Sequence, residues 1–113
     1  MTAKTRPQFP DEQSSDGRFV RQQDAFRSWV TANGSSGFPA VANRYRLYVS
    51  LACPWAHRTI IVRALKGLAD VIELAIVDPI RDDRGWHLDG WFLREAYRAN
   101  DPDYGGRVTV PVL

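Results

Sequence analysis

A strand, a helix and a second strand follow one another between residues 45 and 77, and this order limits the possible folds more than any other feature. Tyr45 to Ser50 alternates in side-chain type, as a strand with one covered face does. Pro54 suits the first position of a helix, which is predicted to end at Lys66, before Gly67. Val71 to Val77 is rich in Val and Ile and predicts the second strand. The segment therefore predicts a βαβ unit with parallel strands.

The residues before this unit are predicted to contain little regular structure. Residues 1–17 are polar and rich in turn-forming residues, so we expect a loose arm. A weak helical pattern from Phe19 to Val30 predicts one helix. Asn33 to Gly37 has the composition of a flexible linker. We therefore divide the chain into an arm and linker over residues 1–42 and a domain over residues 43–113.

The last third of the sequence predicts a helix and a third strand. Residues 80–90 are polar, Trp91 to Ala99 favours a short helix, and Arg107 to Leu113 is rich in Val. Pro111 interrupts this strand and indicates an edge, a bulge or a cis bond, because proline donates no hydrogen bond to a ladder. A hydrophobic strand ending at Leu113 would have nothing to cover it, so we expect the front part of a longer protein.

Composition excludes several classes of protein. Apolar residues make up 44% and charged residues 25% of the 113 residues, as in ordinary globular proteins. Leu47 to Ala56 is an uncharged stretch that is far shorter than the ~20 residues that cross a bilayer. Met1 to Phe9 has no apolar core of a secretion signal, so we expect a cytoplasmic protein. The net charge is only +2 and the arginines are dispersed, which argues against nucleic-acid binding.

Cys53 is the candidate nucleophile. It precedes Pro54 at the predicted helix start, where unpaired N–H groups and the helix dipole favour the thiolate over the thiol. The sequence Cys-Pro-Trp-Ala lacks the second cysteine of a dithiol motif, so a mixed disulfide formed at Cys53 would need an outside thiol to resolve it. The alternative is a buried structural cysteine.

Other side chains near Cys53 have structural as well as functional interpretations. His57 falls within the predicted apolar stripe of the helix, so a core histidine is favoured over a base for the thiol. Trp55 lies on the other side and would border the active site or a subunit contact. Arg58 is either a solvated cation or a partner of the thiolate. Cys53, His57 and His87 offer no compact four-ligand set, so no metal is expected.

Val110 and Pro111 suggest where a ligand would meet the thiol. In a thioredoxin-like sheet, the helix start and such a Val-Pro segment meet at the carboxyl ends of the strands. Exposed backbone beside a thiolate suits a peptide-like thiol such as glutathione. Trp86, in a glycine-rich polar loop, is a candidate ligand contact because no periodicity demands its burial.

Three stretches of the chain resemble the glutathionyl-hydroquinone reductases, the Xi class of glutathione transferases. They are Ser50 to Arg58, Ala64 to Leu68 and Gly106 to Leu113. Shorter matches lie outside them, at Phe19 to Arg21, Phe26 to Arg27, Asn43 to Tyr45 and Gly85 to Trp86. The resemblance implies an α/β thioredoxin-like domain, incomplete at its C-terminal end, followed in the family by an all-helical domain. It implies a homodimer that uses glutathione as co-substrate and no metal.

The resemblance also assigns roles to individual residues. The family's nucleophile maps to Cys53, whose thiolate attacks the sulfur of a glutathionyl-hydroquinone and releases the hydroquinone. A second glutathione then removes the first as oxidised glutathione. Glutathione contacts map to Trp86, Arg107 and Val110 beside Pro111. The family's Glu-Ser pair for the glutamyl end would follow Leu113, so the 113 residues alone are expected to be inactive.

Two other functions fit the same residues. An omega-like deglutathionylase or dehydroascorbate reductase would use the same cysteine. A non-catalytic thioredoxin-like module would instead use Trp55 and the Val110-Pro111 edge for protein contacts.

Overall fold

Two parallel strands and the helix between them form the centre of the fold. The computed structural model describes residues 12–21, 23 and 25–113. In it β1 (Tyr45–Val49), α1 (Pro54–Leu65) and β2 (Ile72–Ile76) follow one another, and β1 pairs with β2 in parallel from Tyr45 opposite Ile72 to Val49 opposite Ile76. This confirms the predicted βαβ unit, with each strand slightly shorter than expected.

Both ends of α1 follow from the local sequence. Cys53 is extended at φ −100° and ψ 116°, and Pro54 begins the helix without needing a hydrogen-bond acceptor. Lys66 closes the last turn, and Gly67 takes the left-handed conformation at φ 66°, as predicted.

Only a narrow strip of α1 packs against β1, and the prediction that His57 is a core histidine is therefore wrong. Ala56 is fully buried and Ile60 partly buried against Leu47 and Val49 of β1. These two helix residues are four positions apart and so lie on one line along the helix. His57 is one position further round, beyond this strip, and is exposed, not a core histidine.

A small hairpin precedes the second helix. β3 (His87–Leu88) and β4 (Trp91–Phe92) pair antiparallel, and α2 spans Leu93–Asn100. The predicted helix therefore started two residues too early. Asp89 and Gly90 join the strands with positive φ angles of 28° and 88°. The hairpin was not predicted, although Asp-Gly is a common signal for such a turn.

The predicted third strand is reduced to one bridge. Tyr48 and Val112 exchange two backbone hydrogen bonds of 2.8 and 3.1 Å in antiparallel orientation, which puts β1 between this segment and β2. Pro111 has no N–H to extend the ladder, and the bond from Val110 to Pro111 is cis, one of the three alternatives left open.

The buried apolar side chains form two clusters. One contains Leu47, Val49 and Ala56, the other Val77, Leu93 and Val110. Cys53 packs against both clusters, so the two halves of the core meet at the cysteine.

The predicted helix from Phe19 to Val30 is wrong. The described residues of that range contain no helix, and Phe19 and Trp29 are 71% and 80% exposed, because no core lies against them. Residues 14–18 form a tight turn closed by a bridge between Gln13 and Phe19. The expected loose arm is therefore wrong for residues 12–17, while residues 1–11 lie outside the described part. The division into residues 1–42 and 43–113 stays a prediction.

The predicted linker also has a defined path. Thr31 bridges to Pro39, and two successive turns include Gly34 and Gly37, both with positive φ. Within the described ranges, none of the helices has the length and apolar character needed to span a bilayer.

Candidate functional site: the cysteine cleft

The turn between β1 and α1 is organised by Ser50. This serine is fully buried; its carbonyl oxygen accepts from the Cys53 N–H at 3.1 Å and its hydroxyl accepts from the Ala52 N–H at 3.2 Å. Serine commonly stabilises such turns by bonding the backbone two residues on. This role of Ser50 was not predicted, although a serine directly after a strand is a signal for such a turn.

Cys53 is half-buried at the N-cap of α1. Its side chain makes no capping hydrogen bond, and its carbonyl oxygen accepts the first helical bond from the His57 N–H at 3.1 Å. The thiol instead donates to the Val110 carbonyl oxygen, with Sγ and the oxygen 3.7 Å apart. The structure therefore confirms that the cysteine and the Val110-Pro111 segment are adjacent.

Two features of the structure lie next to the sulfur. The hydrogen bond to the Val110 oxygen is donated by the thiol, because a carbonyl donates no proton. The unpaired N–H groups at the N-terminal end of α1 lie on the helix that begins directly after Cys53.

Cys53 opens into a cleft of about 570 Å³. Cleft residues come from the start of α1 and from the segment before Leu113, together with Tyr97 and Tyr104. Four residues from the N-terminal part of the chain complete the lining: Arg21, Gln23, Ala25 and Phe26. The volume lies within the range of small-molecule sites, about 300 to 1,000 Å³. The cleft is therefore large enough for a ligand beside the sulfur.

Most of the predicted site residues line the cleft beside Cys53, and Trp86 is the exception. Val110, Pro111 and Arg107 line the cleft with Cys53. Trp86 is half-buried in the cluster that contains Val110, and it is not among the residues that line the cleft. Trp55 lines the cleft and is exposed.

The Arg107 guanidinium is already bound to a carboxylate. Its Nη1 atom lies 2.9 Å from Glu12 Oε1, and the two side chains are only 8% and 6% exposed. This ion pair could not be predicted from the sequence, because its two members are 95 residues apart.

Two tyrosines hold the segment that carries Val110, and both were missed from the sequence. The Tyr97 hydroxyl donates to the backbone carbonyl oxygen of Thr109 at 2.8 Å and accepts from the Thr109 backbone N–H at 3.2 Å. The Tyr104 hydroxyl donates to the Arg107 oxygen. Tyr97 is a buried residue of α2, and its place on the apolar face of this helix was the signal that could have identified it.

Within residues 12–21, 23 and 25–113, no three or more His, Cys, Asp or Glu side chains gather closely enough to bind a metal ion. The His87 ring instead packs edge-on against Phe92.

Comparison with known proteins gives a consistent result. Residues 52–113 match the family described as "Glutathione S-transferase, N-terminal domain". The chain is 46% identical to glutathionyl-hydroquinone reductase YqjG of Escherichia coli (strain K12), over 91% of this chain and 37% of YqjG. It is 43% identical to glutathione S-transferase omega-like 2 of Schizosaccharomyces pombe, over 91% of this chain and 36% of that protein.

A solved structure agrees with these relatives. The glutathione-bound structure of YqjG from Escherichia coli K-12 superposes with a TM-score of 0.71 at 46% identity, covering 77% of this chain and 34% of that one. The chain spans about a third of the length of the curated relatives it matches. The fold class and the resemblance inferred from the sequence are confirmed: the chain belongs to the glutathione S-transferase family, carries its thioredoxin-like N-terminal domain, and has glutathionyl-hydroquinone reductases among its relatives.

Proposed function

We propose that the protein is a glutathione-dependent thiol oxidoreductase that reduces glutathionyl-hydroquinones to hydroquinones through a mixed disulfide at Cys53. One observation carries the proposal: the Cys53 sulfur lies at a helix N-terminus, 3.7 Å from the Val110 oxygen, on a cleft of ligand size. Related proteins named glutathionyl-hydroquinone reductases support the substrate class.

The proposed reaction has two steps. The Cys53 thiolate attacks the sulfur of the glutathionyl group, forming a sulfur–sulfur bond as the bond from that sulfur to the aromatic carbon breaks. The aromatic carbon takes the electron pair and a proton, and the hydroquinone leaves. The thiolate of a second glutathione then attacks the mixed disulfide, which releases oxidised glutathione and returns Cys53 to its thiolate. One glutathionyl-hydroquinone and one glutathione thus give one hydroquinone and one oxidised glutathione.

The predicted contacts for glutathione are retained in this proposal. The Val110 backbone, beside Pro111, would pair with the cysteinyl unit of glutathione. Trp86 would pack near the same unit from its place in the cluster that contains Val110. Arg107 would share its guanidinium between Glu12 and a glutathione carboxylate, which its five N–H donors allow. The cytoplasmic location and the homodimer stay predictions from the sequence.

A second function, that of an omega-like dehydroascorbate reductase or deglutathionylase, is favoured by the relative named omega-like. The cleft argues for the first function, because aromatic side chains at its wall (Phe26, Trp55 and Tyr104) suit an aromatic substrate.

A substrate panel with the complete protein tests this choice. We expect kcat/KM for a glutathionyl-hydroquinone to exceed that for dehydroascorbate by at least about tenfold, since only the former gains aromatic contacts. Turnover of dehydroascorbate with no reduction of the glutathionyl-hydroquinone would assign the omega-like function instead.

A further inference from the structure

An ion pair attaches the N-terminal segment to the cleft. We call the described residues from Glu12 to Val30 the arm. Its first residue pairs with Arg107 at 2.9 Å, with both side chains almost completely buried. Replacing one member of such a buried pair weakens the contact strongly. This pair therefore holds Glu12 beside Arg107, a residue that lines the cleft.

Two further contacts hold the arm along its length. The Phe26 ring lies 5.2 Å from the Tyr104 ring in a stacked arrangement and 5.4 Å from the Tyr97 ring. The Arg21 guanidinium lies 4.8 Å from the centre of the Trp55 ring, within the range of a cation–π contact. The arm is thus attached both to α1 and to the residues that hold the Val110 segment.

These attachments place the arm on the cleft. Arg21, Gln23, Ala25 and Phe26 line the same cleft as Cys53. A ligand bound to the sulfur would therefore touch the arm on one side and the Val110 segment on the other. The arm also limits the directions from which other reagents reach the thiol.

We propose that the arm forms the second wall of the thiol-ligand site and that Glu12 is a positioning residue, which holds this wall in place through Arg107. The identity of the ligand rests on the function proposed above, but the position of the wall does not. Glu12 determines how tightly the ligand is held and how accessible Cys53 is to unrelated reagents, while the reacting atoms stay unchanged.

The test compares Glu12→Gln with the unaltered complete protein in two measurements. We expect the KM for a glutathionyl-hydroquinone to rise about tenfold with kcat within about twofold, because a binding wall is lost while Cys53 and Val110 remain. We expect the rate constant for alkylation of Cys53 by iodoacetamide to rise at least about threefold, because the thiol becomes more accessible. Asp16→Asn is the matched control, since Asp16 is an arm carboxylate in an exposed pair with Arg18.

The exchange variant Glu12→Arg with Arg107→Glu rebuilds an ion pair with reversed polarity and should return the alkylation rate towards its original value. Only the alkylation rate is compared in this variant, because Arg107→Glu also removes a proposed glutathione contact. If Glu12→Gln does not fold, Phe26→Ala releases the arm at its aromatic contact and carries the same two expectations. An unchanged KM or an unchanged alkylation rate in the folded variant would overturn the proposal. If no glutathionyl substrate is turned over at all, the proposed function fails, and the alkylation rates still decide whether the arm covers Cys53.

Discussion

Replacing Cys53 with alanine is expected to abolish reduction of glutathionyl-hydroquinones by the complete protein, with kcat/KM at least about a thousandfold lower. The chain contains a single cysteine, so none of its other side chains can form the mixed disulfide. Steady-state assay of hydroquinone release measures the effect. Cys53→Ser should lose activity to a similar extent, because a serine hydroxyl remains protonated near neutral pH and cannot form a disulfide.

The matched control for this prediction is Leu51→Ala. Leu51 is two residues before the cysteine, in the same turn, but its side chain is exposed. Activity close to that of the unaltered protein is expected, which would show that the turn tolerates change at neighbouring positions. Retention of more than about a tenth of the activity by Cys53→Ala would remove Cys53 from the role of nucleophile.

Leu93→Ala is expected to lower the free energy of unfolding by about 2 to 5 kcal/mol. Leu93 is completely buried at the start of α2, in the cluster with Val77 and Val110. Removing its side chain leaves a cavity in the cluster that contains Val110. The Val110 carbonyl oxygen accepts the hydrogen bond from Cys53. Urea denaturation followed by circular dichroism measures the loss of stability, and activity should fall with it because Val110 loses its support.

Leu65→Ala gives the comparison for this second prediction. Leu65 is 80% exposed on α1, and exposed substitutions usually change stability by no more than about 0.5 kcal/mol. A loss below about 1 kcal/mol for Leu93→Ala would show that this cluster does not support the site.

The central unit could be predicted because its signals are local. Pro54 and Gly67 fix the ends of α1 through their own backbone preferences, and the Val-rich and Ile-rich runs on either side favour strands. The placement of Cys53 at the helix start follows from the same local signals. The adjacency of Cys53 and Val110 was expected from the order of the elements, and the structure confirms it.

The path of the arm and the buried face of α1 could not be predicted, because both depend on contacts between distant parts of the chain. The apolar pattern from Phe19 to Val30 suggested a helix, but several of those side chains are exposed. Phe26 instead packs on Tyr97 and Tyr104, which follow it by 71 and 78 positions. Which strip of α1 is buried depends on the position of β1, so periodicity alone misplaced His57. The pairing of Glu12 with Arg107 has no sequence signal of any kind.

Peptide mass spectrometry after exposure of the complete protein to oxidised glutathione tests most directly whether Cys53 is the reactive thiol of a glutathione site. The expected result is one glutathione attached to the peptide that contains Cys53, with the adduct removed when reduced glutathione is added. Absence of the adduct at Cys53, under conditions in which free cysteine is readily modified, would contradict the proposed function.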